Sequence, residues 1–312
     1  MSKKISYSAW TKYMNCPKMY DFHYNDRLRP QGTSSALVFG VAIDEALNHM
    51  LLTKEPSLPK FQEKFKWEDM QEVVWDPRDL DYDLFTEEQL QSIKGKGEAF
   101  ASWACMRIKG RLILDAYNKR IFPLIEEVIS VQQNLRDRPG VLDCVLKLRG
   151  NGTVLIDHKT SARPYKDNAV TSDPQLALYA ASEGYEKAGF IVMVKEIRKN
   201  TKKICKTCNF NGSFTRHATC PQTVNGKRCR GEWDKSFSPE GQIQLIIDDV
   251  PKVNKDLIQE SLSQVEAGIK AGIFPRNLKA CGKMYGKPCP YINKCWKNDE
   301  IGLECKDKKE KK

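Results

Sequence analysis

The sequence predicts an α+β (mixed α/β) fold: one core sheet flanked by helices. Three observations predict it. Apolar residues recur at helical spacing early in the chain, as at Val38, Val41, Ala42, Leu47 and Leu51. From Leu124 onward the pattern changes to short apolar runs, two of them joined by Arg149-Gly150-Asn151-Gly152. A helical segment and further strand-like runs follow, and the order helices, hairpin sheet, helix, strands belongs to this class.

Ser6 to Leu28 reads as helix, with Ser6 or Ser8 as N-cap. Ala36 to Leu52 is a second helix. Lys54 to Asp83 is acidic, carries Pro56, Pro59 and Pro77, and reads as a partly irregular excursion. Thr86-Glu87-Glu88-Gln89 starts a helix that continues to near Asn118, broken around Gly110. Leu124–Leu135, Gly140–Leu148 and Thr153–His158 are strands, the last two closed by an Asn-Gly hairpin turn. Ser172 to Lys187 is a helix with Ser172 or Asp173 capping and Pro174 in its first turn. Gly189–Ile197 and Gln242–Asp248 are strands, Lys252–Ala271 a helix, and the rest is loop-rich.

The chain has 312 residues, enough for one large domain with an insertion. No run approaches the roughly 18 apolar residues of a membrane span. Met1-Ser2-Lys3-Lys4 is followed by no signal-peptide core, so a cytoplasmic protein with no membrane role is expected. Eleven cysteines without an export signal point to metal ligands or thiols rather than disulfides. The net charge of +11 is concentrated. Lys195 to Lys235 has eleven Lys/Arg against three acids, whereas Glu63 to Glu88 has ten acids against three bases. Lys306 to Lys312 adds +3 as a basic tail. A basic segment on a mixed surface is the footprint of a polyanion partner, or else a solvated loop.

The chemistry is concentrated in Gly140-Val141-Leu142-Asp143 and Ile156-Asp157-His158-Lys159-Thr160. Two neighbouring strands each carry an aspartate amid apolar residues. Asp157 and Lys159, two apart on a strand, share a face. A buried carboxylate is costly unless it is paired or binds a cation. Two of them on adjacent strands make an oxygen-rich site for Mg²⁺ or Mn²⁺. A lysine alongside can orient the attacking water, which fits metal-assisted phosphodiester hydrolysis. A bare D-x-K is otherwise an exposed ion pair of little consequence.

The order of these features resembles the PD-(D/E)xK nuclease superfamily, in its RecB-like and CRISPR-adaptation exonuclease branch. The G-x-[IL]-D strand is matched at Gly140–Asp143 and the [VI]-D-x-K-T strand at Ile156–Thr160. The branch's helix with Gln and Tyr four apart is matched by Gln175 and Tyr179, which lie on one helix face. Its G-x-x-x-H-E helix is matched by Gly40-Val41-Ala42-Ile43-Asp44-Glu45, with Asp44 where the family has histidine. Cys16-Pro17-Lys18-Met19-Tyr20 matches its C-P-x-x-Y. The resemblance runs from Ser6 to about Trp296. It implies a restriction-endonuclease-like core sheet, with Asp143, Asp157, Lys159, Gln175 and Tyr179 in the catalytic site. It also implies Mg²⁺ or Mn²⁺ held by Asp44, Asp143, Asp157 and the backbone carbonyl of His158.

Cys205-Lys206-Thr207-Cys208, then Cys220 and Cys229, form a zinc-ribbon-like pattern in a basic segment, residues 200–233. His217 is an alternative ligand, and unligated thiols are the plainer reading. Lys202, Lys203, Lys206, Arg216, Lys227, Arg228 and Arg230 could contact phosphates. The resemblance further implies that Cys16, Cys281, Cys289 and Cys295 hold a [4Fe–4S] cluster. Four thiolates also suit zinc. Either metal would clamp the C-terminal loop onto the first helix. Cys105 and Cys144 read as buried fillers and Cys305 as a spare thiol.

The expected organisation is a nuclease-like domain over 1–302, the zinc-ribbon-like insertion at 200–233 and a basic tail over 303–312. The expected function is a metal-dependent DNA nuclease, an exonuclease acting on ends or single strands in replication, repair or recombination. The alternative is a nucleic-acid-binding module with a degenerate core and structural metals. No G-x-x-x-x-G-K-[ST] run occurs, so a helicase would be a separate partner.

Overall fold

In the computed structural model the described residues are 4–210, 217–282 and 288–306. A five-stranded mixed sheet separates two helical layers. Its strands are β1 (Ile125–Asn134), β2 (Val141–Leu148), β3 (Gly152–Ser161), β4 (Lys187–Cys205) and β5 (Trp233–Asp249), in the spatial order β5-β4-β3-β2-β1. β1 to β3 form an antiparallel meander, β4 runs parallel to β3, and β5 returns antiparallel to β4. The main helices are α1 (Tyr7–Asn15), α2 (Ser35–Thr53), α3 (Glu98–Arg120), α4 (Pro174–Glu183) and α5 (Lys252–Lys270). A parallel pair needs a crossover, and α4 supplies it between β3 and β4.

Strand alternation assigns the two cores. On one face Phe39, Ile43 and Leu47 of α2 and Ile113 and Tyr117 of α3 pack on Leu146, Ile156 and Met193. On the other, Leu176 and Ala180 of α4 and Ile258 and Leu262 of α5 cover Leu155, Phe190 and Val192. Each such side chain contributes about 1.5–3 kcal/mol by leaving water. α2 is long and apolar enough to cross a membrane, unlike the reading from sequence, but Phe39, Ile43, Ala46 and Leu47 are fully buried against the sheet side of the fold.

Several expected elements are interrupted, each for a local reason. The helix read over Ser6–Leu28 breaks at Cys16, which is extended (φ −163°, ψ 111°) because the ring of Pro17 excludes helical backbone before it. A helical turn at Pro17–Tyr20 and a π-helical turn at Asp21–Asn25 follow, then a short strand at Leu28–Pro30. The break placed at Gly110 falls instead at Gly95 and Gly97, both at positive φ, between a helix at Glu87–Ile93 and α3. Gly110 lies within α3 because an added Cβ would overlap the Phe61 ring. The excursion over 54–83 contains a helix at Ser57–Lys64 and three short 3₁₀ turns. The helix read over Ser172–Lys187 divides at Asp173, whose carboxylate accepts from the backbone N–H of Gln175 and Leu176 and caps α4.

β4 and β5 are much longer than their apolar centres. They continue as a two-stranded ribbon until Cys205 faces Trp233, so the cysteine-rich insertion is the ribbon's tip. At the other end of the chain, Leu303–Cys305, read from sequence as tail, pairs antiparallel with Leu28–Pro30.

Candidate active site

The site begins where the meander opens. β2 and β3 pair from Leu148↔Gly152 to Cys144↔Ile156. One step further a side chain takes the place of the ladder: Asp143 Oδ2 accepts from the backbone N–H of His158 at 2.8 Å. A cleft of about 350 Å³ lies here, lined by Asp44, Asp143, Asp157, His158, Lys159 and Gln175 among others. Asp44 arrives on α2. Gly40, one turn earlier on the same face, lets that helix lie close to β3, since its Cβ would stand 3.2 Å from Thr160 Oγ1.

Asp44, Asp143 and the imidazole of His158 each offer an atom within 4.8 Å of the others. His158 Nδ1 and Asp44 Oδ1 are 3.9 Å apart, buried, and without hydrogen-bond partners. The far nitrogen, Nε2, is 3.1 Å from the Tyr117 hydroxyl, which fixes the ring. Orphaned buried polar atoms are costly unless something coordinates them. Two carboxylates and one imidazole suit Mn²⁺ or Mg²⁺, so the residues fit the ion that the sequence implied.

To the expected residues the structure adds one candidate ligand group, the His158 imidazole. His158 was assigned only its carbonyl, yet strand alternation turns its side chain away from Asp157 and Lys159, toward Asp44. Asp157 lines the same cleft, and its Oδ2, like Asp44 Oδ1 and His158 Nδ1, is buried without a hydrogen-bond partner, although it is ion-paired. Lys159 Nζ is 2.6 Å from Asp157 Oδ2, and Gln175 donates to Asp157 Oδ1 at 3.2 Å. The Gln175 carbonyl accepts from Lys159 at 3.1 Å, and its amide donates to the Tyr179 hydroxyl at 3.0 Å. Gln175 and Tyr179 thus hold the Asp157–Lys159 pair. Three further residues were not singled out from sequence: Tyr117, and Asn48 and Gln132, which both donate to Asp44 Oδ2. Asn48, four residues after Asp44, was legible by helical spacing. Tyr117 and Gln132 come from distant elements and left no local signal.

Burial dominates the electrostatics. It raises Asp143 and Asp157 above the ordinary carboxylate range; the charge of Asp44 adds to this at Asp143, while Lys159 opposes it at Asp157. Asp44 is raised by burial too, against the hydrogen bond from Asn48. Burial would lower Lys159, but the adjacent Asp157 charge wins and raises it, so it is an ammonium. Burial, then Lys159, lowers His158 to about 4, leaving a neutral imidazole able to ligate a cation.

A family model described as the PD-(D/E)XK nuclease superfamily matches residues 4–295. The chain belongs to the PD-(D/E)XK nuclease superfamily. Its central mixed sheet between helices is the restriction-endonuclease-like fold of that superfamily. No curated protein matches the chain. Membership in a superfamily of nucleases makes the cleft a candidate centre for metal-dependent phosphodiester hydrolysis.

This PD-(D/E)XK chain carries two cysteine groups. At the ribbon tip, Cys205, Cys208, Cys220 and Cys229 lie mutually within 4.8 Å. Cys205–Cys229 and Cys208–Cys220 sulfur distances are both 3.6 Å. A tetrahedral ion with Zn–S near 2.3 Å separates its sulfurs by about 3.8 Å, so the four thiols fit zinc. His217 is outside this group; its carbonyl accepts from the Trp233 indole. Lys227, Arg228 and Arg230 are exposed beside it. Arg216, and the side chains of Lys202 and Lys203, lie outside the described residues. Near the C-terminus, Cys16, Cys289 and Cys295 share a small core with Met19, Phe22 and Tyr291. Cys281 joins through the bond from Cys289 N–H to its carbonyl. These four do not form a group as tight as the ribbon-tip thiols. Cys105 and Cys144 are fully buried and Cys305 is exposed.

Proposed function

We propose that the protein is a metal-dependent deoxyribonuclease, an exonuclease that works on ends or single strands in replication, repair or recombination. The observation that carries the reading is the convergence of Asp44, Asp143, Asp157, His158 and Lys159 in one cleft of a PD-(D/E)XK chain. Asp44, Asp143 and the His158 imidazole would hold Mg²⁺ or Mn²⁺, with Asp157 beside them. The ion would supply a nucleophile at neutral pH and stabilise charge on the phosphoryl oxygens. Lys159, kept protonated by Asp157, binds and orients the phosphodiester or the incoming water. Gln175 and Tyr179 hold Lys159 in place, and Tyr117 holds the imidazole.

The cysteine groups extend the reading. Zinc at Cys205, Cys208, Cys220 and Cys229 would fold the ribbon tip and present its basic residues to DNA. At Cys16, Cys281, Cys289 and Cys295 the looser arrangement favours a [4Fe–4S] cluster, since a polynuclear cluster holds its thiolates further apart than one ion does. That cluster supports placement in the RecB-like, CRISPR-adaptation branch, with any helicase as a separate partner. The test is to incubate anaerobically purified protein with end-labelled single- and double-stranded DNA, with and without Mn²⁺. A Mn²⁺-dependent ladder from one end is expected. Binding without cleavage would instead favour a degenerate, DNA-binding core.

A further inference from the structure

A cavity beside the cleft is lined by no carboxylate. It measures about 470 Å³, and its walls include Thr11 and Lys12 of α1, then His23 and Tyr24. It also touches Lys159 and Gln175, the two residues it shares with the catalytic cleft. Its volume is that of a small-ligand pocket, about 300–1,000 Å³.

His23 Nδ1 is 2.8 Å from the Tyr291 hydroxyl, but Lys12 and Thr11 have no side-chain partner among the described residues. Lys12 is half-buried; burial, then the neighbouring Arg29, lowers its pKa against the opposing effect of Cys289, and no carboxylate is among the groups that act on it. The Oγ1 of Thr11 is buried without a hydrogen-bond partner. His23 is held neutral at a pKa of about 3 by burial, then by Lys12 and Arg29, so the electrostatic setting is cationic. Tyr24 lines the cavity with a half-buried aromatic ring that packs on Tyr20 (centroids 4.8 Å) and on the His23 edge (4.7 Å), with the Arg29 guanidinium 5.9 Å from its centroid. The larger cavity of about 700 Å³ around Lys109 and Lys195 differs, because Lys109 donates to the Asp79 backbone carbonyl and Lys195 pairs with the Asp79 carboxylate.

An ammonium with no carboxylate partner, an orphan hydroxyl and an aromatic ring next to the proposed phosphodiester-cleaving centre are complementary to a nucleotide. We propose that this cavity binds the nucleotide adjoining the scissile phosphodiester, with its phosphate on Lys12 and Thr11 and its base against the Tyr24 ring. The inference rests on the nuclease reading above and adds the position of the substrate strand: it crosses from the cleft, past Lys159 and Gln175, onto α1. Recognition through a ring face and a phosphate is tolerant of sequence.

The test uses the full-length holoprotein carrying Asp157→Asn, so that a single-stranded oligonucleotide is bound and not consumed. Lys12→Met should weaken binding about tenfold at low salt and reduce the salt slope by about 0.7, one phosphate contact on a single strand. Tyr24→Leu should weaken it about 5- to 150-fold, the range of one base–aromatic stack. Lys252→Met, on the exposed face of α5, should change neither. Thermal midpoints check that the variants fold. An independent readout is photocrosslinking of a 5-iodouracil oligonucleotide to the parent, expected in the peptide 7–24. Parent-like binding and salt slope in both variants, or a crosslink confined to other peptides, would overturn the proposal. Cleavage by the wild type with Mn²⁺, lost in Asp157→Asn, reports separately on the nuclease reading, so the two can fail independently.

Discussion

At the residue scale the cleft trades stability for chemistry. Asp143 titrates above its unfolded value, so the native state binds its proton more tightly than the unfolded chain does. Ionising it at pH 8 therefore costs native stability, and the cost fades as pH falls through the raised pKa. In metal-free protein, Asp143→Asn should raise stability at pH 8 by about 1 kcal/mol or more, because the amide oxygen can still accept from His158 N–H. Denaturant melts should show that gain, while cleavage is abolished and Mn²⁺ no longer stabilises the variant. His158 acts in the opposite sense: its folded pKa of about 4 lies below the unfolded value, so acidification from about 6.5 toward 4 destabilises the metal-free protein. Around the proposed ion, Asp44→Ala and Tyr117→Phe discriminate ligand from support. Asp44→Ala should raise the Mn²⁺ concentration needed for half-maximal cleavage by far more than Tyr117→Phe, for which about tenfold is expected of an outer partner. A Mn²⁺ titration of Asp44→Ala that matches wild type would remove Asp44 from the ligand set. Lys159→Ala should stop cleavage yet leave DNA binding nearly intact, since its charge, unlike that of Lys12, is already paired with a carboxylate, Asp157 at 2.6 Å.

At the scale of elements, α3 shows how packing overrides propensity. Glycine inside a helix costs about 1 kcal/mol relative to alanine, so propensity alone predicts that Gly110→Ala stabilises. The added methyl would instead overlap Phe61, which is fully buried and stacked on Phe65. Overpacking costs typically 1–3 kcal/mol, so the substitution should lower the thermal midpoint; a rise would show that the Phe61 ring yields cheaply. The ribbon formed by β4 and β5 carries the other prediction. Changing Lys227, Arg228 and Arg230 together to Ala should weaken DNA binding and flatten its salt dependence while turnover at saturating DNA stays near wild type. An unchanged salt slope would assign the tip to another partner.

For the whole molecule, closure of the chain is a matter of packing and pairing across long sequence separations. Cys16 lies within the first helical region, Cys289 and Cys295 beyond residue 288, and the Leu28–Pro30 strand pairs with Leu303–Cys305. Replacing Cys289 or Cys295 by Ser should remove iron, leave zinc and lower the thermal midpoint. Metal analysis giving two zincs and no iron would change the identity of the clamp without removing it. Because Cys16 caps the C-terminus of α1 and shares a core with Cys289 and Cys295, loss of that core should also weaken strand binding at Lys12 and Tyr24.

The residues Asp143, Asp157 and Lys159 were legible in the sequence because short-range rules apply to them: a hairpin turn fixes two neighbouring strands, and a spacing of two fixes a shared face. Asp44, Gln175 and Tyr179 were legible through helical spacing and ordered motifs. The same holds for the ribbon-tip cysteines, whose positions along the chain already lie close together. Which atoms meet was decided only by the tertiary structure. The His158 side chain joins Asp44 because α2 lies against one side of β3, and Asp157 faces Lys159 and Gln175 because α4 lies on the other. Pairing of Tyr117 with His158, and of Gln132 with Asp44, depends on helix–sheet packing across 41 and 88 residues. Local periodicity specifies the face a side chain occupies; it carries no information about what the rest of the chain places opposite that face.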